Sequence, residues 1–289
     1  MRLCMIDRDA HPTLAARDGA GLIDLSIAAP GLPGDIVGVL ESGDEGLQRL
    51  RAAIAAAPAE SRVDSAGVRY HVPIARPGKI LCLGLNYADH AKEGGHQRPE
   101  YPSFFLRTAT SMVAHGEPIV RPRASVTLDY EAELVAVVGR RARHVPAEQG
   151  LDVIAGYSVF NDGSIREYQR KTTQWTIGKN FDATGGFGPD FVTADEVPPG
   201  AKGLRICSRL NGQTLQDANT DDMLFGVAET VALVSTCMTL EPGDLLVMGT
   251  PAGVGHARKP PLWMKAGDTC EIEIEQVGLL SNPIVDEES

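Results

Sequence analysis

Two glutamates one residue apart, Glu131 and Glu133, sit in the stretch SVTLDYEAELVAVVG (125–139), with Asp129 two residues before them. The stretch reads as a β-strand, and side chains alternate along a strand, so all three acids fall on one face. Val135 and Val137 continue that face and Leu128, Tyr130, Ala132, Leu134 and Ala136 line the other, which takes the strand into a core. A carboxylate at such an entry is costly unless it is neutralised, and like-charged neighbours add to the cost. Protons, Arg or Lys side chains, or a hard cation can neutralise it. Magnesium accepts six oxygens, and Asp162, at the end of AGYSVFND, is the best third carboxylate. The spacing alone does not separate this from an exposed or Arg-paired acid patch. Glu271, Glu273 and Glu275 alternate in the same way opposite Cys270, Ile272 and Ile274, and there a half-solvated strand is explanation enough.

Other groups suggest what such a centre would serve. His90, in NYADHAKEGG, has Glu93 three residues on, and one helical turn puts both on one face. A carboxylate there orients the imidazole and makes it a stronger base, as the activation of water requires. A surface histidine on a short helix has the same spacing. Lys179 lies between the apolar end of QWTIGK and the glycines of NFDATGGFGP, where a loop can present its ammonium to a developing oxyanion. GTPAGVG, from Gly249, lacks the lysine and hydroxyl of a nucleotide phosphate loop. Its backbone N–H groups and the Thr250 hydroxyl can still meet a substrate carboxylate. The histidines at 11, 71, 96, 115, 144 and 256 show no partner spacing and read as surface or structural.

The elements that must position these groups are mostly strands. RLCMID and GLIDLS suggest a meander, and GDIVGVLESG and EGLQRLRAAIAAAPAE suggest helices, which together make a small N-terminal α/β domain over 1–72. From 73 to 289 the strands are KILCLGLN, SFFLR, the acidic strand, AGYSVFND and DLLVMG, with a short helix at PAEQGLDVI that has Pro146 at its first position. Asn211-Gly212 between alternating runs marks a two-residue type I′ hairpin. TCEIEIEQ-VG-LLSNPIV closes the chain as another hairpin, and TDDMLFGVAETVALVSTCM reads as an amphipathic helix capped by Thr220 or Asp221. This is an α+β chain, mainly β, with an antiparallel or mixed β-roll.

Composition narrows the partners. The chain has 289 residues and a net charge of −11 with no basic run, which argues against nucleic acid. No apolar run approaches the roughly 18 residues of a membrane span. MRLCMIDRDAHP is no secretory signal, and five cysteines without a CxxC pair point to free thiols and a cytoplasmic location.

NYADH, DYEAEL, YSVFNDGS, QWTIGKNFD, NGQTLQDANTDDM and LEPGDLLVMGTPAGVG, in that order over about residues 79–285, closely resemble the fumarylacetoacetate hydrolase family. The resemblance implies a mixed β-sandwich roll in a homodimer. It implies Glu131, Glu133 and Asp162 as ligands of Mg²⁺, or of Mn²⁺ or Ca²⁺, with Asp129 outside the ligand set. His90 matches a general base with Glu93 as its partner on a lid, Lys179 the cation beside the substrate oxygens, and Gln169 and Thr250 positions that touch the substrate. Leu85 stands where many members that cleave acylpyruvates carry Arg, and Gly163 stands where Val or Met is common, which would widen the pocket beside the metal. The implied activity is metal-dependent hydrolysis of a C–C bond in an acylpyruvate-type diketo acid to pyruvate and a second acid, with a fumaryl- or maleylpyruvate of aromatic-ring breakdown as the specific substrate. Oxaloacetate decarboxylation and isomerisation or hydration of a dienoic diacid are alternatives at the same site.

Overall fold

The structure, a computed structural model, describes residues 1–93 and 99–288. The paired glycines 94–95 and His96 lie outside the described residues. The strand Ala132–Val138 shows why this sequence is apolar on both faces: it runs between two hydrophobic layers. Leu134, Ala136 and Val138 pack with Tyr157, Met248 and Ile272, while Val135 and Val137 pack with Leu3, Phe160, Phe187 and Phe191 on the other side. Its neighbours are Ile154–Asn161 and Leu245–Val247, both antiparallel to it.

These strands belong to a 13-stranded sheet. One end is the N-terminal meander, Arg2–Arg8, His11–Asp18 and Gly21–Asp24, which joins the rest where Leu3 pairs with Phe191. At the other end Leu245–Val247 pairs in parallel with Ile80–Gly84, which pairs antiparallel with Ser103–Leu106. A five-stranded sheet stacks against it, running from Gln213–Asn219 through Arg205–Leu210, Thr269–Ile274 and Gly278–Asp286 to Ile119–Arg121, with only the last pair parallel. The fold is therefore α+β, mainly β, with mixed sheets packed as a sandwich roll. Asn211 and Gly212 both have positive φ, 52° and 78°, as a type I′ turn requires. Helices Ile36–Glu41 and Gly43–Ala55 lay Ile36, Val39, Leu40 and Leu50 on the core that holds Leu3. Among the described residues no helix is long and apolar enough to cross a membrane.

Three elements differ from expectation. Residues 125–139 do not form one strand: Leu128–Asp129 pairs with Ser164–Ile165, and the next strand begins only at Ala132. Side chains take over the backbone bonds at the break, with the Glu131 N–H donating to Asn161 Oδ1 at 3.0 Å and the Ala132 N–H to Gln216 Oε1 at 3.0 Å. The segment Ala147–Val153 is a 3₁₀ helix and Pro146 is its N-cap, not its first residue. The amphipathic helix starts at Val227, and Thr220–Asp222 is a separate 3₁₀ turn capped by Asn219. The reason lies in Asn86, whose backbone carbonyl accepts the Leu224 N–H at 2.7 Å and whose side chain accepts the Phe225 N–H at 2.8 Å. Those two residues are thereby held in a loop.

Asn86 is fully buried and also donates to the carbonyls of Phe225 and Met248, at 3.0 and 2.7 Å. It ties together three segments that meet at the site. Asn86→Ala strands these buried groups and should lower unfolding stability by about 2–4 kcal/mol. Denaturant titration would show it as a lower midpoint at unchanged slope; a midpoint equal to wild type would contradict this account.

Candidate active site

The antiparallel register places Ala132 opposite Asn161, which brings the residues just before and after them, Glu131 and Asp162, side by side at the strand ends. The Asp162 N–H donates to the Glu131 carbonyl at 3.0 Å and fixes that approach. Glu131, Glu133 and Asp162 each offer a carboxylate oxygen within 4.8 Å of the others, and all three residues are buried. The three acids named from sequence are brought together.

Lys179, at the end of the helical turn Thr176–Lys179, is 2% exposed. Its ammonium donates to Glu131 Oε2 at 2.7 Å and Asp162 Oδ2 at 2.6 Å. Gly178 allows this turn to pack there, because a Cβ on it would lie 2.3 Å from the backbone nitrogen of Gln169. Two further cations were not anticipated from sequence. Arg107 pairs with Asp162 and also donates to the Gly163 carbonyl at 3.0 Å. Arg166 pairs with Asp129 at 2.7 Å and with Glu131 at 2.6 Å. Asp129 also accepts the N–H groups of Tyr130, Gly255 and His256. Its carboxylate is turned away from the trio and fully bonded, in keeping with its place outside the ligand set.

Glu133 has no cation partner among the described residues; Oε2 accepts only the Gly249 N–H, at 2.7 Å. Burial, then the charges of Asp162 and Glu131, push its carboxyl well above the usual range. Burial also pushes Glu131 up, but Lys179 and Arg166 outweigh it and hold that carboxyl low. The centre thus has one buried carboxylate more than its own cations neutralise. Its donors are hard oxygens, suited to Mg²⁺ or Mn²⁺. Each bonded carboxylate oxygen keeps a further lone pair, so the residues fit a divalent cation held by Glu131, Glu133 and Asp162.

Glu131, Glu133, Arg166 and Lys179 form the floor of a pocket of about 560 Å³ whose wall includes His90, Glu93, Gln169, Thr250 and Trp175. His90 and Glu93 lie on the helix Ala88–Glu93, with Nδ1 3.6 Å from Glu93 Oε2. That is ion-pair range rather than a formed hydrogen bond. Burial pushes the Glu93 carboxyl up, but His90 and the Gly253 N–H outweigh it, and the net is below the usual range. Gln169 Oε1 accepts from Arg166 at 2.9 Å, which leaves its amide N–H groups for the pocket. Thr250 Oγ1 accepts from Gln216 Nε2 at 2.8 Å, which leaves its own proton to donate.

Three expectations are corrected. The glycines of the loop do not aim their N–H groups at a substrate: Gly249, Gly253 and Gly255 donate to Glu133, Glu93 and Asp129. Gly163 does not widen the pocket. A Cβ there would lie 1.8 Å from the Thr184 carbonyl oxygen, so glycine is required by a backbone contact behind the metal centre. His256 is no bystander, since it lines the pocket. Leu85 does line the pocket and makes part of its wall apolar, in left-handed backbone geometry with φ of 57°.

Glu133 makes a pH prediction. Its folded-state proton affinity is raised above that of the unfolded chain, so in metal-free protein this group's stability contribution falls as pH rises through the raised value. With chelator present, wild type should lose melting temperature relative to Glu133→Gln as pH rises above the ordinary carboxylate range. Mg²⁺ should close the gap by stabilising wild type more than the variant. Parallel melting curves for the two proteins at every pH would refute the assignment.

Known proteins match most or all of the chain in sequence and fold. The family profile described as fumarylacetoacetate (FAA) hydrolase C-terminal matches residues 79–285. The oxaloacetate tautomerase FAHD2A, mitochondrial, of Bos taurus is 38% identical over 278 residues, covering 95% of this chain and 87% of that protein. The crystal structure of fumarylacetoacetate hydrolase from Exiguobacterium antarcticum superposes with a TM-score of 0.85 at 31% identity, covering 99% of this chain and all of that one. That of maleylpyruvate hydrolase from Sphingobium sp. SYK-6, in complex with manganese(II) and pyruvate, gives 0.82 at 28% identity with full coverage of both chains. An enzyme family thus accounts for the fold: the chain belongs to the fumarylacetoacetate hydrolase family.

Proposed function

We propose that the chain interconverts the enol and keto forms of a short 2-oxo dicarboxylic acid of the oxaloacetate type, with a divalent metal as cofactor. The observation that carries this is a histidine–carboxylate pair, His90 and Glu93, in the same pocket as Lys179, Glu131 and Glu133, beside which Asp162 completes the carboxylate trio. The 38% identity to a protein named oxaloacetate tautomerase supports tautomerisation over the hydrolysis expected from sequence. Mg²⁺ or Mn²⁺ held by Glu131, Glu133 and Asp162 supplies Lewis acidity toward the oxygens of a 2-oxo acid.

The residues of the chain do the rest. Glu93 beside Nδ1 favours the His90 proton on that nitrogen and leaves the Nε2 lone pair as the base. Nε2 takes a proton from the carbon next to the 2-oxo group. The C–H electron pair becomes a C=C bond and the carbonyl pair moves onto oxygen, which takes up a proton to give the enol as the His90 imidazolium releases the one it accepted; the reverse steps regenerate the ketone. The Lys179 ammonium stabilises the negative oxygen. Thr250 and Gln169 donate hydrogen bonds to the substrate.

A second reading is hydrolysis of an acylpyruvate, with His90 taking its proton from water. The hydrolases among the solved structures support it. We further propose a homodimer, supported by the exposed apolar side chains of Tyr101, Leu106, Val126 and Ile177, and a cytoplasmic location, supported by five free cysteines.

Following enol-oxaloacetate by ultraviolet absorbance, with pyruvate release from acylpyruvates assayed in parallel, separates the two chemistries. His90→Ala should lower kcat about 10²–10⁴-fold while calorimetric Mg²⁺ affinity stays near wild type. Exhaustive chelation should abolish turnover and added Mg²⁺ or Mn²⁺ restore it. Full turnover by His90→Ala, or after chelation, would sink the reading.

A further inference from the structure

We infer that Arg170 is a specificity-determining residue that binds the second carboxylate of a diacid substrate, at the rim of the pocket opposite the metal centre. The inference rests on the 2-oxo acid reading and names what that reading leaves open. Three other charged or ionisable side chains near the trio are committed: Lys179 to Glu131 and Asp162, Arg166 to Asp129 and Glu131, and Arg107 to Asp162. Arg170 lines the same pocket, is exposed, and has no carboxylate partner among the described residues. A guanidinium that faces a pocket without an anion is a ready recognition element for one, since its planar fork matches a carboxylate.

Its position follows from local structure. The helical turn Arg166–Gln169 ends at Arg170, whose N–H donates to the Arg166 carbonyl at 3.2 Å. Arg166 and Arg170 are therefore one turn apart, roughly 5–6 Å between Cβ atoms. Arg166 lies against Glu131, so Arg170 stands about one turn outward from the metal centre, a separation on the scale of a short carbon chain. His256 shares that rim. Its imidazole stacks on Trp263 with ring centroids 6.0 Å apart, and its backbone N–H is held by Asp129. Partial burial, then Arg170 and Arg166, hold the His256 ring below its usual range. The pocket then has two ends: a metal centre for the 2-oxo acid portion and a guanidinium for the remote carboxylate.

Trp175 lines the pocket, so ligand binding can be read by its fluorescence without turnover. The test titrates oxaloacetate and 2-oxobutyrate, which share a four-carbon chain and differ in the remote carboxylate, into Mg²⁺-loaded wild type, Arg170→Gln and Arg170→Lys. Wild type should prefer oxaloacetate by roughly tenfold or more, the worth of one charge-assisted hydrogen bond. Arg170→Gln should abolish the preference by weakening oxaloacetate alone, and Arg170→Lys should restore part of it. Oxaloacetate KM should rise in step with its Kd. A preference that survives in Arg170→Gln, an equal loss for both ligands, or no preference in wild type overturns the inference while the 2-oxo acid reading stands. If wild type binds neither ligand, that reading fails and the inference with it.

Discussion

Four buried carboxylates, Asp129, Glu131, Glu133 and Asp162, gather at the ends of central strands of the large sheet around three buried cations, Arg107, Arg166 and Lys179. Burying paired charges is at best marginally favourable, and an unpaired one is strongly unfavourable. The cations come from separate places in the chain: just after the strand Ser103–Leu106, from the turn Arg166–Gln169, and from the turn Thr176–Lys179. Each of these segments has to close on the acids for the charge to be tolerated. The cluster therefore specifies how the site segments meet, and the deficit at Glu133 leaves it suited to one more cation.

The loop after Leu245–Val247 shows the same economy of backbone dipoles. Gly249 donates to Glu133, Gly253 to Glu93, and Gly255 and His256 to Asp129. One loop thus touches a metal-centre acid, the partner of the candidate base, and the acid that anchors Arg166. A shift in it would be felt at all three. Gln216 adds a further link, accepting the Ala132 N–H and donating to Thr250. These contacts hold the acids, the base partner and the substrate-facing hydroxyl in one frame, as precise proton transfer requires.

Much of this was legible in the sequence because it rests on periodicity and turn chemistry. Alternation gave Glu131 and Glu133 a shared side, the apolar faces of Val135 and Leu134 gave the strand its burial, and Asn211-Gly212 gave a hairpin. The break at Tyr130–Glu131 was not legible, because it depends on Asn161 and Gln216, which approach from 30 and 84 residues away. Arg107 and Arg166 were missed for a similar reason: an arginine in a strand-end or helical sequence looks solvent-exposed until a distant acid is placed beside it. Gly163 was misread because a small residue beside a pocket suggests space, whereas the space was filled by the Thr184 carbonyl. Arg166 and Arg170 did carry one usable signal, their i, i+4 spacing on a turn that begins four residues after Asp162.

The same geometry also explains why hydrolases and tautomerases can share this fold. On the proposed reading both chemistries need a 2-oxo acid held by hard oxygens, a cation to receive negative charge, and a base; the buried floor would supply the first two and His90 on the pocket wall the third. On that reading, what would distinguish them is the source of the proton that His90 takes. If a water sits at Nε2, the outcome is attack on a carbonyl; if a C–H bond sits there, the outcome is an enol. That choice is made by how the substrate's far end is anchored and how much room it leaves beside His90. The floor is buried, whereas Arg170, the proposed anchor, stands on the partly exposed rim with Leu85 and His256. Rim residues face few packing constraints, so substitution there can redirect the chemistry while the charge-balanced floor, on which the fold depends, stays as it is.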